Sequence, residues 1–364
     1  MKMIHCADLH LDAQVTANLS QEQARERKKE ILRTFLRMVD YAKKNDVNVI
    51  LIAGDLFDTR NVSALARNVV RDAILEHPEI DFLYLRGPYD ADGFLAGFGT
   101  LPSNLKLFED AWITYRYGNV AITGMELSME NDYYLYEQLE INPQDYNIVT
   151  LYGQVVPGRS LGDASRIGLA ELKDKNIDYL ALGHVHNYQI GRVDARGYYC
   201  YSGSLEGMSF EECGNKGFVL LEINEETMQA QMKFVPVASR NYYRLPVDVT
   251  GVMSTQEAAK RIKKELQGVD YPRKSLVSIE LEGAVDVECD IDTEALRELF
   301  FEYFYYERVL NRTRLNADYR DYEKDASLKG EFIRMVLKSD MDEEKKAQVI
   351  RCGILALSGE EISL

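Results

Sequence analysis

The chain has 364 residues, 46% of them hydrophobic, and a formal net charge of -16. That length exceeds one ordinary domain and predicts a large domain with one or two smaller pieces. The negative charge argues against a stand-alone nucleic-acid binder, which needs a basic surface, but does not exclude an enzyme that meets DNA through metal ions, a local basic strip or a basic partner.

The chain enters directly on Met3-Ile4-His5-Cys6-Ala7-Asp8, which reads as a strand and leaves no room for a signal peptide. No apolar run approaches membrane-spanning length. Next comes a helix over Ser20–Asn45, opened by a Ser cap with Gln three residues on. Short apolar runs without polar alternation follow at Asn48–Ala53, Phe82–Arg86, Ile148–Gly153 and Tyr179–Gly183, a pattern that suits strands buried on both faces. Helical spacing recurs at Asn61–Glu76 and Ile167–Lys175. The alternation predicts an α/β layered domain.

From Tyr199 the text is β-rich: Tyr199–Ser202, Gly217–Ile223 and Met228–Val237. A boundary is expected near Ser239-Arg240-Asn241. A strand (Tyr242–Val249), a helix (Ser254–Gln267) and a strand (Leu276–Glu282) then make a small α/β cap. The reading is a domain over 1–240, a cap over 241–290 and a helical region over 291–364. In that last region Ser327–Gly359 has helical spacing, with Gly353 and Gly359 as stops. The basic runs at residues 25–29 and 308–320 read most simply as solvated helix faces. Five scattered cysteines with no CxxC pair predict reduced thiols and a cytoplasmic protein.

Polar residues follow each buried strand: Asp8-Leu9-His10, Gly54-Asp55-Leu56-Phe57-Asp58, Gly87-Pro88-Tyr89-Asp90, Tyr152-Gly153-Gln154 and Gly183-His184-Val185-His186. Loops at the carboxyl ends of strands in such sheets converge on one place. Carboxylate and imidazole together suit manganese, iron or zinc, and two such ions can clamp a phosphoryl transfer. Any one motif is a turn or a cap; the ordered set carries the signal. Three of the five histidines fall in these loops. His77 reads as a helix end and His5 as a packed core residue.

These motifs resemble those of calcineurin-like metallophosphoesterases. The runs Ile4 to Asp12, Ala53 to Asp58 and Tyr201-Ser202-Gly203-Ser204-Leu205-Glu206-Gly207 are similar to the SbcD-type DNA exonuclease subunit over about residues 1–240. The resemblance implies a four-layer α/β/β/α sandwich, a cap and helices that dock a coiled-coil ATPase partner, SbcC. It implies a first metal on Asp8, His10, Asp55 and His186. A second would use Asp55 and His184, an Asn of a Gly-Asn-His-Asp motif and a His of a His-Gly motif. The sequence departs at three points: Pro88 stands at the Asn, Tyr89 at the catalytic His and Tyr152 at the His of His-Gly. Tyr89 and Asp90 therefore occupy the catalytic positions. Tyr152 is either a phenolate ligand or a packed ring that donates its hydroxyl. A manganese-dependent DNA exonuclease with one firm and one weak or missing metal is expected, its activity weak or lost. The alternatives are a non-catalytic subunit that binds DNA or the ATPase, and a small-molecule phosphatase, against which the cap and the Tyr201–Gly207 run both count. Packing of the tail on its own domain is an equal alternative, and helix Ser63–Ile74 is a candidate dimer surface.

Overall fold

The computed structural model describes residues 1–13, 19–58, 62–90, 93–128, 131, 135–160, 162–286, 289–315 and 325–358. Asn61, part of the basic run at 308–320, and Gly359 as a helix stop lie outside the described residues. The chain divides into Met1–Tyr242 and Tyr243–Leu364.

The first unit runs β1 (Lys2–Cys6), α1 (Gln21–Lys44), β2 (Val49–Ala53), α2 (Ala64–Glu76), β3 (Asp81–Leu85), β4 (Leu105–Leu107), β5 (Ile113–Tyr117), β6 (Val120–Gly124), β7 (Tyr146–Tyr152), β8 (Gln154–Val156), β9 (Arg166–Gly168), α3 (Leu169–Leu172), β10 (Tyr179–Gly183), β11 (Gln189–Arg192), β12 (Tyr198–Tyr201), β13 (Gly217–Asn224) and β14 (Gln229–Pro236). Two six-stranded sheets form, in the orders β14-β13-β1-β2-β3-β4 and β11-β12-β10-β7-β6-β5. Each has four mutually parallel strands, with the two antiparallel-paired strands at one edge of the first sheet and one at each edge of the second.

The central strands are apolar on both sides because both sides are covered. In β2, Val49 and Leu51 face the second sheet, while Ile50 and Ile52 face the helices. Helix α1 begins where Ser20 and Gln23 form a capping box. It lays Ile31, Phe35, Met38 and Ala42 on the first sheet, the spacing of one helical face. His5 is fully buried between the sheets, with Nδ1 2.8 Å from the Tyr179 hydroxyl.

The outer layer on the second sheet is thin. The helix expected over Ile167–Lys175 is the single turn α3, because Ile167 belongs to β9 and both Asp174 and Asn176 adopt left-handed φ. Leu135, Tyr136, Leu139 and Leu172 cover the sheet there. Strands β4 and β5 leave no buried run, since β4 has three residues and β5 is half exposed, whereas β6 is buried throughout and is not among the expected strands.

The second unit begins one residue into β15 (Tyr242–Asp248) and continues with α4 (Thr255–Gln267), β16 (Leu276–Glu282), β17 (Ala284–Val285), α5 (Thr293–Leu299), β18 (Tyr306–Asn311), β19 (Arg314–Leu315), α6 (Leu328–Leu337) and α7 (Glu343–Ser358). Strands β15, β16 and β18 make one sheet, covered by α4 and α5. The helical reading of 291–364 is thus corrected at Tyr306–Asn311, which pairs in parallel with β16. Helix α5 stops where Phe300 turns fully into the core, and the aromatic and β-branched residues beyond favour a strand. Helices α6 and α7 pack on each other through Ile333, Val336, Ile350 and Ile354. Gly353 lies within α7 rather than ending it. Among the described residues no helix is long and apolar enough to cross a membrane.

Candidate metal centre

The loops after β1, β2, β3, β7 and β10 meet at one end of the first unit. The first two run side by side: Asp8 N donates to Gly54 O at 3.0 Å and His10 N to Asp55 O at 3.1 Å. Asp8, His10, Asp55 and His184 all have positive φ (52°, 44°, 49° and 100°). Left-handed backbone at residues other than glycine costs on the order of 1–3 kcal/mol each and concentrates where side-chain placement matters. Gly87 permits the close approach of the third loop: a Cβ there would lie 2.1 Å from Asp55 Oδ1.

Ligand atoms of Asp8, His10 and His186 all lie within 4.8 Å of one another. His10 Nε2 is 3.1 Å from His186 Nε2 and 4.0 Å from Asp55 Oδ2, and His186 Nε2 is 3.8 Å from Asp8 Oδ1. Each imidazole has a carboxylate behind it: Asp58 Oδ1 is 3.3 Å from His10 Nδ1, and Glu212 Oε1 is 2.9 Å from His186 Nδ1. Metal-bound histidines characteristically have such partners.

The charges point to a cation. Asp8 and Asp55 are almost wholly buried, and among the described residues their ion-pair partners are the two histidines alone. Burial pushes the Asp8 carboxyl up to about 7, against the pull of His186 and His10. Burial also raises Asp55, opposed chiefly by the Tyr152 hydroxyl. A buried carboxylate without a firm cation is costly. Two nitrogens bound to one ion at about 2.1 Å lie at most about 4.2 Å apart, and these two lie 3.1 Å apart. The donor set therefore fits a divalent transition metal.

The other candidate residues stand differently. His184 is exposed; its backbone N–H donates to both Asp8 oxygens at 3.0 Å, and its ring meets Tyr152 edge-on at 5.5 Å. The Tyr152 hydroxyl donates to Asp55 Oδ2. Burial, with Asp8 and Asp55 adding to it, holds that phenol well above its usual range, so it stays protonated. Pro88 is exposed, and so is Tyr89 at 54%, whose backbone N donates to Asp55 Oδ1 at 3.4 Å. Asp90 does not present a free carboxylate: it accepts from the N–H groups of Gly87, Leu56 and Phe57 at 2.9–3.2 Å, tying the second and third loops together. Burial pushes its carboxyl to about 6. Glu212 escaped the sequence reading because nothing in its spacing links it to His186. Asp58 stood inside a quoted motif but without a role.

A family model described as Calcineurin-like phosphoesterase matches residues 1–188. The DNA double-strand break repair protein Mre11 of Sulfolobus acidocaldarius is 23% identical over 96% of this chain and 98% of its own length. The protein of that name from Haloferax volcanii is 24% identical over 97% of this chain and 74% of its own. A solved dimetal phosphatase from Danio rerio aligns with 65% of this chain and 99% of its own, at 10% identity and a TM-score of 0.42. The family model spans more than half of the sequence and ends just beyond the last loop of the cluster, so the chain belongs to the calcineurin-like phosphoesterase family.

Proposed function

We propose that the chain is a metal-dependent phosphodiesterase of the Mre11 and SbcD type that acts on DNA, with one firm metal position and a second that is weak or missing. Asp8, His10, Asp55 and His186 hold the first ion, manganese before iron or zinc. A divalent ion there supplies Lewis acidity toward a phosphoryl group. The chain's own residues frame the site: Asp58 and Glu212 stand beside the two imidazoles, and Asp90 holds the loops that carry Asp55 and Tyr89.

One observation carries the reading of a weakened site: the Tyr152 hydroxyl donates to the Asp55 carboxylate. The Asp55 oxygen nearest His10 is thereby already hydrogen-bonded, which would leave this carboxylate less free to be shared with a second ion. Pro88 offers that ion no side-chain ligand, and His184 alone remains. Tyr89 stands at the position of the expected proton donor, and a phenol is a poorer general acid than an imidazolium. Hydrolysis is therefore slow. The same losses favour a second reading, a non-catalytic subunit retained for DNA or partner binding.

The DNA assignment draws on the relatives' names and on coverage of nearly the whole chain. Exposed Leu328, Met335 and Leu357 on α6 and α7 support docking of a coiled-coil ATPase, and exposed Leu65 and Leu75 support α2 as a homodimer surface. We place the protein in the cytoplasm.

Anomalous scattering from manganese-soaked crystals tests the metal count: one strong site is expected, and two full sites overturn the reading. Exonuclease assays on linear DNA with manganese test the chemistry. Activity is expected to rise in Pro88→Asn/Tyr89→His/Tyr152→His. Wild-type activity already equal to the triple variant refutes a weakened site, and activity in neither leaves the non-catalytic reading.

A further inference from the structure

We propose that Glu212 is the positioning residue for His186, and that residues 202–217 form a brace that keeps this imidazole turned toward Asp8 and His10. The inference rests on the metal-centre reading above. Glu212 Oε1 lies 2.9 Å from His186 Nδ1, and Oε2 accepts from Ser204 Oγ at 3.3 Å and Met208 N at 3.2 Å. An ionised carboxylate only accepts, so the proton between the two groups sits on Nδ1. Nε2 is then the nitrogen that carries the lone pair; it lies at hydrogen-bond distance from His10 Nε2, 3.1 Å, and 3.8 Å from Asp8 Oδ1.

The same segment grips the backbone of the histidine. His186 O accepts from Ser204 N at 3.1 Å and from Lys216 Nζ at 2.6 Å. Lys216 is 2% exposed and also donates to Asn187 Oδ1 at 2.7 Å. Gly203 has φ 73°, and a Cβ on it would lie 2.9 Å from His186 O and from Tyr188 N. Ring, carbonyl and following residue are thus each held from one short stretch. The run Ser202-Gly203-Ser204 has a physical purpose here: glycine for the close approach, serine to touch both the His186 carbonyl and the Glu212 carboxylate.

The test uses the full chain, metal-free, labelled with ¹⁵N-histidine, together with calorimetric titration by manganese chloride. Wild type is expected to show His186 as the Nδ1–H tautomer. Glu212→Ala is expected to mix the tautomers and to lose about 10–100-fold in manganese affinity. Glu212→Gln keeps an acceptor, so it should retain the tautomer and lose less. It also serves if the alanine variant fails to fold. Wild-type affinity in Glu212→Ala, or an Nε2–H tautomer in wild type, overturns the proposal. A wild-type chain that binds no manganese instead overturns the metal-centre reading, and the tautomer measurement still decides the role of Glu212.

Discussion

Replacing Glu206 tests what holds the first unit together. Its side chain is fully buried and accepts from Arg27 Nη2 at 3.0 Å, Thr34 Oγ1 at 2.5 Å and Ser239 N at 2.5 Å. Arg27 is equally buried and also donates to Glu30 Oε2 at 2.6 Å and Gly207 O at 3.1 Å. One carboxylate therefore ties α1 to the end of the last strand of the unit. Glu206→Ala leaves the Arg27 guanidinium with Glu30 as its remaining carboxylate contact in this network and strips the acceptor from a backbone N–H. Breaking a buried pair from one side costs about 3–5 kcal/mol, a large part of the 5–15 kcal/mol that stabilises a typical domain. With a urea slope of about 3 kcal/mol/M the midpoint should fall by about 1–1.7 M. The double change Arg27→Met/Glu206→Leu removes both charges and should lose less than either single change, since no ion is stranded. A loss under about 1 kcal/mol in Glu206→Ala, or simple additivity in the double, refutes this account.

Manganese at a hundred times its dissociation constant should stabilise the chain by about 2.7 kcal/mol, reversed by EDTA, as thermal shifts will show. Asp8→Asn should abolish that gain. Because burial lifts the Asp8 carboxyl to about 7, the metal-free variant should be more stable than wild type above pH 7. Gly87→Ala should cost about tenfold or more in calorimetric manganese affinity, because its Cβ would meet Asp55 Oδ1 and the Asp55 backbone nitrogen. Burial holds the His5 imidazole down to about 3, so the native state keeps it neutral where the unfolded chain, near 6.5, takes up a proton. Its contribution is complete above about pH 6.5 and falls toward pH 3, by at most about 1.4 kcal/mol per unit. Urea midpoints from pH 7.5 to 4.5 should fall less steeply in His5→Phe.

Much of the layered architecture was legible because burial on both faces leaves a mark on a strand. Val49–Ala53 and Tyr179–Gly183 are uninterrupted apolar runs, and each ends in the glycine turn that presents a polar group. The cap of α1 could be read residue by residue, since capping is a local exchange of hydrogen bonds. Tyr306–Asn311 could not: its pairing with β16 joins residues 30 positions apart, and an aromatic run suits a helix or a strand until a neighbouring strand claims it.

The sequence by itself determined which residue types stand in the five loops, with Pro88, Tyr89 and Tyr152 among them. Only the tertiary structure decided what those residues do. It placed the Asp90 carboxylate on three backbone amides, the Tyr152 hydroxyl on Asp55, and Glu212 behind His186. The reason is physical. A ligand's identity is written in its own side chain, but its orientation and protonation are set by neighbours distant in sequence, 26 residues away for Glu212 and 97 for Tyr152.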